Sequence, residues 1–121
     1  MHLTKGNCYH IYNRGNNKQP IFFSENNYVF FLEKVRRYIY PISDILSWCL
    51  MPTHFHILLH ANINTVSTIS RNGIEIQQFS ENIRLLLSSY TKAINKQNKF
   101  SGNLFQQKTK AKEIDLAMNN N

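Results

Sequence analysis

His54 and His56 stand two residues apart in the run Met51-Pro52-Thr53-His54-Phe55-His56-Ile57-Leu58-Leu59. In an extended strand, residues two apart point to the same side. His54, His56, Leu58 and His60 then share one face, and Phe55, Ile57 and Leu59 share the other. The second set is what a sheet needs beneath covering helices. The first set puts two imidazoles side by side on an open face. Two neutral imidazoles supply nitrogen ligands for a divalent metal, and a third polar group can complete the set. Water and a substrate phosphate oxygen would fill the remaining positions. A bare His-x-His more often marks two surface histidines on a strand, so the surroundings must decide.

Those surroundings read as alternating strands and helices. Cys8 to Asn13 has the aromatic and β-branched content of a strand, ended by the turn chemistry of residues 14–20. A helix is expected after Ser24, an N-cap residue type, with Tyr28, Phe31, Leu32, Val35 and Ile39 as its apolar stripe. Pro41 disfavours its continuation. Asp44 to Leu50 reads as a buried strand and His54 to His60 as its hairpin partner across Pro52-Thr53. Residues 61–75 are polar, contain Gly73 and read as a loop. A second helix is expected from about Gln77 to Lys96, with a stripe of Phe79, Ile83, Leu86, Tyr90 and Ala93. Leu104 to Lys110 is the candidate last strand. Met118-Asn119-Asn120-Asn121 carries no structural signal and is expected to fray. Strand, helix, strand, strand, helix, strand is the α+β, ferredoxin-like split βαβ pattern, with helices on one face of an antiparallel sheet. The pattern specifies no activity by itself.

Bulk properties agree with one packed domain over residues 1–121. The hydrophobic fraction is 42% and the charged fraction 17%, which argues against global disorder. Fourteen Lys and Arg against seven Asp and Glu give a net charge of +7, which attracts phosphate backbones. Cys8 and Cys49 lie in apolar stretches without zinc-type spacing and read as buried reduced thiols rather than a disulfide. No signal peptide and no apolar run of membrane-spanning length is seen, so no membrane is expected as a partner and the cytoplasm is the default location.

The segment Cys49-Leu50-Met51-Pro52-Thr53-His54-Phe55-His56-Ile57-Leu58-Leu59 resembles the core signature of the IS200-like and REP-associated tyrosine transposases, single-strand DNA transposases of the HUH class. That signature has an apolar strand, Met-Pro, a small polar residue, His-hydrophobic-His and a further apolar strand. Thr53 stands where the family usually has Asn, a departure in the turn and not in a ligand. Tyr9-His10-Ile11-Tyr12-Asn13-Arg14-Gly15-Asn16 is similar to the family's opening strand and turn. Pro20-Ile21-Phe22-Phe23 and Ser89-Tyr90-Thr91 through Asn95-Lys96 fit further blocks. Gly102-Asn103-Leu104-Phe105-Gln106 resembles its Gly-His-Leu-Phe/Trp-Gln segment, with Asn103 in the His position. The resemblance runs over residues 6–114.

The resemblance implies DNA transposition. A tyrosine hydroxyl attacks a backbone phosphate of single-stranded DNA, giving a 5′-phosphotyrosine link and a free 3′-OH, and a second strand end reverses the step. It makes His54 and His56 ligands for Mg²⁺ or Mn²⁺. It implies a hairpin-containing single strand as partner and a possible homodimer. In the family the catalytic tyrosine lies on a helix beyond the Gly-x-Leu-Phe-Gln segment, and that helix often supplies the third metal ligand. No tyrosine follows Gly102 here, so the nucleophile is expected beyond Asn121 and the chain is expected to hold the metal- and DNA-binding half. Tyr90 is the nearest substitute, although its place on the apolar stripe reads foremost as a core role. Tyr12, on the same strand face as His10, could stack a base or sit near the metal.

Arg14, Lys18, Lys108, Lys110 and Lys112 are the expected DNA contacts, because strand ends flank the open face. Lys34, Arg36 and Arg37 read as a solvated helix face. Two rivals remain at this level. One is a single-stranded nucleic-acid-binding module without chemistry, although the aromatic signature of RNA-binding sheets is missing from the central strands. The other is a metal-dependent phosphodiesterase using activated water.

Overall fold

A computed structural model describes residues 1–115. The fraying expected for Met118-Asn119-Asn120-Asn121 lies outside the described residues. The elements are β1 (Cys8–Arg14), α1 (Glu25–Tyr38), β2 (Asp44–Met51), β3 (His54–His60), α2 (Ile63–Val66), β4 (Thr68–Arg71), β5 (Ile74–Gln77), α3 (Gln78–Asn98) and β6 (Lys110–Ile114). The main sheet has the order β2-β3-β1-β6, and every neighbouring pair is antiparallel. This is the α+β architecture expected from the strand and helix order, with the split βαβ strand order.

Alternation decides which side of the sheet is covered. On β1, Tyr9, Ile11 and Asn13 are buried; on β3, Phe55, Ile57 and Leu59 are buried. They meet Phe31, Val35 and Ile39 at α1 and Phe79, Ile83, Leu86, Tyr90 and Ile94 from α3. Truncating a buried aromatic such as Phe55 costs about 3–5 kcal/mol, so this face fixes the sheet against the helices. Ile94, rather than the expected Ala93, closes the α3 stripe, since a 3.6-residue period carries the buried face one residue further after Tyr90.

Ser24 occupies the N-cap position of α1, yet its side chain makes no capping bond. Asn27 substitutes: its Oδ1 accepts from Phe23 N at 2.8 Å, and its Nδ2 donates to Gln97 Oε1 at 3.1 Å. One buried amide thus anchors the start of α1 and ties it to α3. Gln77 does similar work at the other end, exchanging two 2.8 Å bonds with the backbone of Leu3.

Four sequence expectations change. Asp44–Met51 is not a buried strand: β2 is a sheet edge, with Leu46, Trp48 and Met51 exposed. Residues 61–75 are not a loop: they form α2 and most of the β4–β5 hairpin, turned by Asn72 and Gly73 at φ 53° and 79°. Asn-Gly with both φ positive is the favoured two-residue hairpin turn. The last strand is displaced to Lys110–Ile114, because residues 104–106 bond to the turn after β1: Asn16 N donates to Leu104 O, and Gln106 N to Arg14 O. Cys8 and Cys49 are free thiols, as expected, but Cys8 is half-buried and Cys49 exposed, since both alternate onto the uncovered side.

The turn after β1 is closely packed against the β2–β3 hairpin. Gly15 N donates to Thr53 O at 2.9 Å, and Ile21 N donates to Pro52 O at 2.8 Å, clamping the β2–β3 hairpin. A Cβ on Gly15 would fall 1.9 Å from the carbonyl oxygen of Gln19, an impossible contact with backbone. Gly15→Ala is expected to lower the unfolding free energy by about 1–3 kcal/mol, the usual cost of overpacking. Urea denaturation followed by circular dichroism checks it, and an unchanged midpoint would mean the turn yields freely.

Candidate functional site

The uncovered face of the sheet is laid out by register. Tyr12 lies opposite His56 and Arg14 opposite His54 on the β1–β3 ladder. On the β1–β6 ladder, His10 lies opposite Lys112 and Tyr12 opposite Lys110. Cys49 and Met51 of β2 oppose His56 and His54. Chemistry-bearing side chains from all four strands therefore share one surface, while the helices occupy the other.

An open cavity of about 400 Å³ lies at one end of this face, lined by Tyr12, Asn13, Arg14, His54, His56, Gln106, Lys108 and Lys110. Two imidazoles and three cations line it, and no carboxylate does. A lining of this charge attracts anions such as a phosphate. A larger cavity of about 740 Å³ runs along α3 and residues 103–109, but its lining carries no histidine or carboxylate.

Each histidine of the pair is held through Nδ1. Thr53 Oγ1 lies 3.0 Å from His54 Nδ1, and His10 Nε2 lies 2.7 Å from His56 Nδ1. Among the described residues neither Nε2 of the pair has a hydrogen-bond partner. The two rings stand 4.8 Å apart between centroids and nearly perpendicular, at 87°. Burial, followed by the neighbouring His10 and His54 rings, holds the His56 pKa below its ordinary value. The neutral imidazole is the form that coordinates a metal. The pair therefore fits a two-nitrogen half-site, with each Nδ1 occupied and each Nε2 spare. Among the described residues no group of three or more His, Cys, Asp or Glu converges into a complete metal site.

The rest of the predicted set divides. Arg14, Lys108 and Lys110 line the cavity with the histidines. Lys18 is exposed in the turn after β1, outside the lining, and Lys112 sits further along β6, opposite His10. His60, on the same strand face, is at the far end of β3 and pairs with Asp44 at 3.1 Å, a contact that lowers the Asp44 pKa. Tyr90 takes the core role that its place on the stripe suggested: it is fully buried between helices and sheet, where its hydroxyl donates to Ile21 O at 2.6 Å. Burial pushes its phenol far above the ordinary range, so it is a poor source of phenolate and is turned away from the open face.

Two site residues escaped the sequence reading. His10 contacts His56, and its ring also stacks on Tyr12 at 4.5 Å. Asn13 alternates onto the covered side, where its Nδ2 donates to Gln106 O and Thr109 Oγ1, both at 3.1 Å, and its Oδ1 accepts from Arg14 N. This amide holds the segment bearing Lys108 and Lys110 against β1. A polar residue at a buried strand position was the available signal for Asn13. For His10 the signal was the parity it shares with Tyr12.

No family model matches the chain, and no curated protein matches it in sequence. Among solved structures it is similar to a REP-associated tyrosine transposase determined bound to a REP hairpin, with a TM-score of 0.57 and 15% identity. That likeness covers 95% of this chain and 59% of the other, so this chain spans about three-fifths of the length of the structure it matches. At this identity the likeness is one of fold. No helix among the described residues is long and apolar enough to cross a membrane.

Tyr90→Phe is expected to cost about 1–3 kcal/mol of stability, because Ile21 O loses a buried donor. Thermal unfolding checks it, and an unchanged midpoint would mean that Ile21 O finds another donor.

Proposed function

We propose that this chain is a DNA-binding domain of the REP-associated tyrosine transposase type. On this reading the cavity on the open sheet face receives the backbone of a single strand beside a hairpin. The observation that carries it is the shared lining: His54 and His56 with Arg14, Lys108 and Lys110, and no carboxylate among them. The likeness in fold to a transposase solved with a DNA hairpin supports the same direction.

Arg14, Lys108 and Lys110 neutralise phosphates, and Arg14 can grip one in bidentate fashion. His54 and His56 would hold Mg²⁺ or Mn²⁺ through their spare nitrogens, and the ion would supply polarisation and orientation of a phosphodiester. The proposal assigns binding and orientation to these residues. Tyrosine-mediated cleavage and rejoining, the reaction the family resemblance implies, is not assigned to Tyr90, which is enclosed in the core. A second reading rests on Tyr12, the one tyrosine lining the cavity, which would make the chain a nicking enzyme in its own right.

The test is binding of a single-stranded DNA carrying a hairpin, measured across salt concentrations with Mn²⁺ or with EDTA. The Lys108→Ala/Lys110→Ala variant should reduce the slope of log K against log salt by about 1.4, at about 0.7 for each phosphate contact on a single strand. His54→Ala should abolish the Mn²⁺ dependence and leave the salt slope in place. Binding indifferent to Mn²⁺ in the unaltered chain would favour the metal-free module. A covalent protein–DNA adduct lost in Tyr12→Phe would establish the enzyme.

A further inference from the structure

We infer that His10 is a positioning residue that fixes the tautomer of His56, and so decides which of its nitrogens is offered to a cation. The inference rests on the proposal that His54 and His56 hold a metal, and it extends that proposal to a third histidine on a different strand.

The geometry leaves two arrangements. His10 Nε2 and His56 Nδ1 are 2.7 Å apart, so one carries the proton and the other accepts it. If His10 donates, the proton of neutral His56 must be on Nε2, and the nitrogen needed by a cation is blocked. If His56 Nδ1 donates to His10, the His56 Nε2 lone pair is free. The second arrangement repeats what Thr53 provides for His54, whose Nδ1 faces a hydroxyl oxygen able to accept at 3.0 Å. Both members of the pair are then set alike, Nδ1 protonated and Nε2 bare, as metal-bound histidines are held by an outer partner.

His10 is suited to this task by its surroundings. Its ring stacks on Tyr12, at 4.5 Å and 29°, and meets His56 edge to edge, with centroids 4.9 Å apart and planes 23° apart. The stack on Tyr12 restricts the ring plane, so Nε2 stays aimed at His56. His10 Nε2 is engaged with His56 in this arrangement and is not offered to an ion. The register sets His10 opposite Leu58 and diagonal to His56, which brings together two residues 46 positions apart.

The experiment is ¹⁵N nuclear magnetic resonance of histidine-labelled full chain at a pH where the rings are neutral, paired with Mn²⁺ affinity by electron paramagnetic resonance. In the unaltered chain His56 should show a protonated Nδ1 and an unprotonated Nε2 before any metal is added. His10→Ala should move His56 toward the Nε2-protonated form and weaken Mn²⁺ binding about 10–100-fold, the usual loss on removing an outer partner. His10→Gln offers a carbonyl oxygen near the place of Nε2 and should restore both readings in large part. A protonated Nε2 on His56 in the unaltered chain overturns the inference, and so does an unmoved tautomer in a folded His10→Ala variant. The predicted tautomer together with no Mn²⁺ binding in the unaltered chain overturns the metal reading while supporting the role of His10 on His56.

Discussion

The pairing of β1 with β3 is the constraint on which the open face depends. These two central strands align Tyr12 with His56 and Arg14 with His54. The same register sends Tyr9, Ile11, Phe55, Ile57 and Leu59 into the core. A slip of one residue would invert both sets, exposing the apolar side chains and burying imidazoles without partners. The energy of the core therefore enforces the geometry of the site. That is why two histidines on a strand can be held in place without a covering loop.

Polar groups finish what the apolar face begins. Gly15 lets the turn after β1 close onto the β2–β3 hairpin, which positions Thr53 under His54. Asn13 draws residues 106–109 toward β1, which brings Lys108 and Lys110 to the histidines. The result is a cavity of mixed imidazole and cationic character at the end of the sheet where β1 finishes and β3 begins. His60 and Asp44 mark the opposite end with a separate pair. The open face is thus graded along its length, and its anion-attracting part is concentrated where the turn residues converge.

Much of this was legible in the residues themselves. Alternation in His54–His60 gave the open and covered faces of β3 without reference to any other strand. The stripes of α1 and α3 placed Phe31, Val35, Phe79, Ile83 and Leu86 correctly, because helical periodicity is a local signal. What was hidden depends on distance in the chain. The apolar content of Asp44–Met51 suggests burial, yet only the strand order shows that β2 is an edge left partly uncovered by α1. The contact of His10 with His56 follows from a long-range register that no local pattern encodes. The β4–β5 hairpin is short and polar, so only Asn72-Gly73 announced it. Tyr90 was ambiguous in sequence, since a stripe aromatic can end at a surface; the Ile21 carbonyl above its hydroxyl closes that route.

The proposed function makes His54 and His56 one cation-binding pair beside the basic lining, distinct from the other histidines. Paramagnetic broadening of histidine side-chain resonances during a Mn²⁺ titration tests it most directly. His54 and His56 are expected to broaden first and together, His10 next, and His60 least. Preferential broadening at His60 and Asp44, or equal broadening at every histidine, would contradict it.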